Sequence, residues 1–180
     1  MTEEIKKIEN NSRELFSKQE VEKALDEMAE AINEKLSGTN PIILCTVIGG
    51  IIPTGLLLPR LNFPLQLDYI HATRYAGETT GGELAWETEP QISFQDRDII
   101  VFDDILDEGV TLAGIVDYCR QQGVRNVYTA VLVEKRHNRK QGIRADYVGL
   151  EIVDRYVFGY GMDYHGYLRN VPGIYAVKGL

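Results

Sequence analysis

The chain has 180 residues, enough for one domain with a sizeable apolar core. Its composition, 44% hydrophobic and 26% charged, is that of a globular protein, and a net charge of −8 removes the basic footprint that nucleic-acid binding requires. No apolar run approaches the ~20 residues of a membrane span and no leader pattern opens the chain.

Two cysteines, Cys45 and Cys119, fall in apolar surroundings and read as buried thiols of a reducing compartment. A cytoplasmic protein with neither nucleic-acid nor membrane partners is expected. In chain order, residues 1–16 are polar and read as a surface segment. Ser17-Lys18-Gln19-Glu20 is a capping box. Val21, Ala24, Leu25, Met28, Ile32 and Leu36 follow at helical spacing, which predicts an amphipathic covering helix before Gly38.

Residues 42–47 form a buried strand, and Ile48-Gly49-Gly50 turns into a helical segment at 51–58 interrupted by Pro53. Strand, paired glycines and helix make an anion-binding geometry, although an ordinary strand-to-helix turn accounts better for the glycines alone. Residues 65–75 read as a long strand that runs into a polar, glycine-rich stretch at 76–83, a mobile tongue. Residues 84–88 return antiparallel to it. Further strands are expected at 98–102, 126–133 and 146–151, with a helix at 111–120 stopped by Gly123. Strand and helix alternate, so the fold class is α/β: a twisted parallel sheet flanked by helices. The Tyr- and Gly-rich tail departs from this rhythm and reads as a small hood over the sheet's carboxyl edge. One domain is expected over 1–180, its core at about 38–150 and its hood drawn from about 1–37 and 151–180.

The turn after residue 102 carries the chemistry. Asp103 and Asp104 stand at a strand's carboxyl end, where open α/β sheets bind ligands. Adjacent carboxylates repel, so something outside the chain must favour the pair. A divalent cation and the vicinal hydroxyls of a sugar both fit. Glu108, Gly109, Val110 and Thr111 then open a helix whose unpaired N–H groups can wrap a monophosphate. A phosphate and a diol in one site describe a ribose 5-phosphate.

The run Val101-Phe102-Asp103-Asp104-Ile105-Leu106-Asp107-Glu108-Gly109-Val110-Thr111 resembles the phosphoribosyl-pyrophosphate signature of the type I phosphoribosyltransferases. The tail resembles the purine-binding pattern of the hypoxanthine-guanine branch: Lys135 at a strand end, then Tyr156-Val157-Phe158-Gly159-Tyr160-Gly161-Met162-Asp163-Tyr164, then Arg169. The resemblance implies Mg2+ held by Asp103, Asp104 and Asp163, and phosphoribosyl pyrophosphate and 6-oxopurine bases as substrates. It implies a homodimer or homotetramer, with a flexible catalytic loop at the glycine-rich tongue. Lys135 would select the oxo group, Tyr156 would stack on the base and the Val157 backbone would meet its edge. Ile48, Gly49, Arg74 and Arg169 would contact pyrophosphate, after a cis bond at Val47-Ile48. Many purine members carry Lys where Ile48 stands, and Ser-Tyr where Arg74-Tyr75 stands. Asp107 would handle the N7 proton, as general acid/base work requires. The alternatives are a transferase of the family acting on xanthine, adenine or orotate, and a regulator that keeps the fold without turnover.

Overall fold

The computed structural model describes residues 2–74 and 84–179. Its elements are α1 (Thr2–Asn11), β1 (Arg13–Ser17), α2 (Lys18–Leu36), β2 (Ile42–Thr46), α3 (Ile51–Leu57), β3 (Gln66–Arg74) and β4 (Leu84–Thr88). Then follow β5 (Asp98–Leu106), α4 (Val110–Gln121), β6 (Asn126–Arg136), β7 (Tyr147–Val153), β8 (Val157–Phe158) and β9 (Gly173–Ala176). A six-stranded sheet has the order β4-β3-β2-β5-β6-β7, parallel throughout except for β4. A second, antiparallel sheet has the order β1-β9-β8.

The central strands read as unbroken apolar runs because helices cover both faces. Ile43, Ile100, Phe102 and Leu132 pack with Val21, Leu25, Met28 and Ile32 of α2 and Leu57 of α3. Ile42, Leu44, Ile99, Val101 and Val131 point the other way and pack with Leu112, Ile115 and Cys119 of α4. The helix drawn with the hood from sequence, α2, therefore lies on the central sheet. Its capping box is formed, with the Ser17 hydroxyl accepting from the Glu20 amide and the Ser17 amide donating to the Glu20 carboxylate at 2.8 Å. Pro53 does not interrupt α3; it sits in the first helical turn, where its missing N–H costs no intrahelical bond.

Two readings change. The segment expected over 1–16 is not merely a polar surface stretch: from residue 2 onward it forms α1 and most of β1, which pairs with the sequence-distant β9. The strand expected to end at 102 continues to Leu106, paired with β6 as far as Glu134, and that expected to end at 133 continues to Arg136, where β7 supplies the partner. Asp103, Asp104 and Lys135 therefore stand on strands, not in turns.

The chain leaves β2 to one side for β3 and then reaches β5 on β2's other side. β2 and β5 are thus neighbours whose exits diverge, the switch point at which open α/β sheets hold ligands. Both glycine-bearing turns, at 47–50 and 107–109, lie at this crevice. The Val47-Ile48 bond is cis, as the resemblance implied. The tongue at 76–83 lies outside the described residues.

Candidate active site

β2 and β5 build the first wall of the site. Thr46, at the end of β2, donates its hydroxyl to the Asp103 carboxylate, which also accepts from the Asp104 amide at 2.9 Å. Asp104 Oδ1 accepts from the Ile105 amide at 3.0 Å. Burial pushes the Asp103 carboxyl above its ordinary pKa, with the bonds from Asp104 and Thr46 working against it. Burial, and then repulsion from Asp103, push Asp104 well above it. Two neighbouring carboxylates that resist ionisation together favour one proton or one cation between them. Their all-oxygen donor set suits Mg2+.

Gly49 fits here only because it lacks a side chain: a Cβ would lie 2.1 Å from Asp104 Oδ2. Beside it, Ile48 is about half exposed (53%). Gly109 opens α4 with φ 87°, and Asp103, Asp104, Glu108, Gly109 and Thr111 line one concave recess. Val110 is the first residue of α4.

A second recess adjoins the first. Asp104, Asp107, Lys135, Tyr156, Val157, Met162 and Asp163 line it, so the residues singled out from the motif and from the tail converge on one cavity. Pairing of Leu106 with Glu134 sets residues 107 and 135 side by side. The Lys135 ammonium donates to Asp107 Oδ2 at 2.7 Å, and its side chain is largely buried. His137 Nε2 lies 2.7 Å from Asp107 Oδ1. Burial alone would raise the Asp107 pKa, but the bonds from Lys135 and His137 outweigh it and hold the carboxyl below its ordinary value.

Tyr156, 39% exposed, makes a T-shaped contact with Tyr164 at 5.6 Å and lines the recess. Val157 is paired with Ala176 in the small sheet. Asp163 Oδ1 pairs with Arg169 at 2.7 Å, while its Oδ2 accepts from the Gly166 amide. Arg169 also donates to the Gly161 carbonyl, and its charge acts on Asp104. Arg74 closes β3, and its side chain lies outside the described residues.

Sequence reasoning missed Thr46, His137 and Arg139. His137 belongs to the charged run 134–137, whose only discernible signal was its position after a core strand. Among the described residues, Asp107, His137 and Asp154 bring ligand atoms within 4.8 Å of one another, a spacing a metal could use. Side-chain cations already fill that space. Lys135 lies 2.7 Å from Asp107 and 3.9 Å from Asp154, and Arg139 donates to Asp154 at 2.6 Å.

Residues 11–165 match the family model for the phosphoribosyl transferase domain. The chain belongs to the phosphoribosyltransferase family. Among its relatives, the phosphoribosyltransferase of Bacillus subtilis described as hypoxanthine-guanine phosphoribosyltransferase is 30% identical over 165 residues, 91% of this chain and 92% of that one. The hypoxanthine-guanine-xanthine phosphoribosyltransferase of Tritrichomonas foetus is 27% identical over 172 residues, 95% and 94% of the two chains. A hypoxanthine phosphoribosyltransferase structure from Staphylococcus aureus superposes with a TM-score of 0.88 at 26% identity, over 92% of this chain and 91% of that one. No helix among the described residues of this phosphoribosyltransferase is long and apolar enough to cross a membrane.

Proposed function

We propose that this protein transfers the phosphoribosyl group of phosphoribosyl pyrophosphate to N9 of hypoxanthine or guanine, giving IMP or GMP and pyrophosphate. The observation that carries this reading is the shared cavity, in which Lys135, Tyr156 and Val157 face Asp104 and Asp107. The names of the relatives support the same substrates.

In this reading the N-terminus of α4, with Glu108, Gly109, Val110 and Thr111, holds the 5-phosphate, and Asp103 and Asp104 hold the ribose hydroxyls. Mg2+ would be bound by Asp103, Asp104 and Asp163, where it supplies positive charge against the departing pyrophosphate. Ile48 and Gly49 offer backbone N–H groups to pyrophosphate, and Arg74 and Arg169 offer charge. Lys135 has three protons to donate, so it can keep Asp107 while donating to the purine's exocyclic oxygen. An amino group there would meet a like donor, which excludes adenine.

The N9 lone pair forms the bond to C1, and the C1–O bond breaks with its electrons leaving on pyrophosphate. The purine is then cationic and its N7–H strongly acidic. A carboxylate of lowered pKa suffices to take that proton, and Asp107 is such a group. We also read the protein as a homodimer or homotetramer. Leu67 and Tyr69, on one face of β3 and about half exposed, supply apolar surface for such contact.

The test is steady-state turnover with phosphoribosyl pyrophosphate, Mg2+ and each base in turn. IMP and GMP should form and AMP should not. Preference for adenine, or no product from any purine, would overturn the reading.

A further inference from the structure

We infer that His137 is a positioning residue for Asp107, acting as a fixed hydrogen-bond donor that keeps the carboxylate aimed at the base. The inference rests on the reading of Asp107 as the group that meets N7. His137 follows the end of β6, and only 5% of its side chain is exposed. The Arg139 backbone N–H donates to its Nδ1 at 3.1 Å. A nitrogen that accepts cannot also carry a proton, so the ring is the Nε2–H tautomer, and Nε2 donates to Asp107 Oδ1 at 2.7 Å.

The two anchors of Asp107 differ in kind. Lys135 is shared: it lies 3.9 Å from Asp154 as well, and in the proposed reaction it also serves the base. Among the described residues, the acceptor of His137 is Asp107, and a backbone amide locks its other nitrogen. While the Lys135 ammonium divides its protons between Oδ2 and a purine, the imidazole holds Oδ1 and so fixes the aim of the carboxylate. Arg139, 3.9 Å from Asp107 Oδ1 and paired with Asp154, is too distant to replace it.

Three variants separate this role from a merely structural one. His137→Ala removes both bonds. His137→Asn keeps an acceptor for the Arg139 amide but does not reach Asp107. His137→Gln puts an amide N–H near the position of Nε2. An aim lost by about 1 Å costs up to ~100-fold in rate. His137→Ala and His137→Asn should therefore lower kcat for IMP formation by about 10- to 100-fold, with KM for phosphoribosyl pyrophosphate within about threefold of wild type. His137→Gln should recover most of the rate, and melting temperatures should stay together across the set. Unchanged kcat in His137→Ala, or equal recovery by Asn and Gln, overturns the inference. If the unaltered protein makes no nucleotide from any purine, the functional reading fails instead, and that outcome is read from wild type alone.

Discussion

Substituting Gly49 by alanine tests whether the position of Asp104 governs binding of the sugar phosphate. The new Cβ would lie 2.1, 2.4 and 2.7 Å from Oδ2, Cγ and Oδ1 of Asp104, so rotating one oxygen away is not enough. The whole carboxylate must retreat by about 1 Å to reach ordinary van der Waals contact. Retreat strains its bond from the Ile105 amide. Misplacement by about 1 Å at a reacting centre costs up to ~100-fold. Gly49→Ala should raise KM for phosphoribosyl pyrophosphate about 10- to 100-fold, measured as IMP formation at saturating hypoxanthine. Gly55→Ala is the control, because a Cβ at that position of α3 meets nothing within 4 Å. It should leave KM unchanged. A Gly49→Ala enzyme with KM within twofold of wild type would refute the placement of Asp104 in the sugar-phosphate site.

Further outcomes follow from the charges. Burial raises the Asp104 carboxyl, so the folded state binds its proton more tightly than the unfolded chain does, and stability is lost as pH rises past the ordinary value of 3.8. Without Mg2+, Asp104→Asn should therefore melt about 2–4 °C higher than wild type at neutral pH, roughly 1 kcal/mol, and the difference should vanish in acid. Asp98 has the opposite sign: the hydrogen bond from Arg125 leads the causes that hold its carboxyl low, so its contribution is present above 3.8 and lost as pH falls through the lowered value. Arg125→Ala should lower the urea midpoint at pH 7 and lower it much less in acid, where the Asp98 carboxyl is protonated in both states. Asp107→Asn should lower kcat about 10²- to 10⁴-fold while phosphoribosyl pyrophosphate binds within a few-fold of wild type by calorimetry. Equal losses in rate and affinity would remove its proton-transfer role.

Much of the framework was legible because its signals are local. The capping box fixed the start of α2, the β-branched runs announced β2, β5 and β6, and the acidic turn before a helix marked the recess at the start of α4. Lys135 and Tyr156 could be named through a family resemblance, yet their meeting with Asp107 depends on the pairing of β5 with β6 and on the folding back of the tail. No local pattern encodes either. The same holds for His137: a charged run after a strand suggests solvent, and only the register at Leu106 and Glu134 brings the ring to Asp107. Residues 13–17 lack clean alternation, and their strand exists because β9 supplies the partner.

The pairing of β1 with β9 has a consequence for synthesis. β1 leaves the ribosome about 160 residues before β9, so the small sheet that carries Val157 cannot close until residue 176 has emerged. The crevice between β2 and β5 can assemble well before that. A nascent polypeptide stalled before residue 173 would thus hold the crevice without the finished small sheet beside it. Removing β1 or β9 should open the small sheet in the same way.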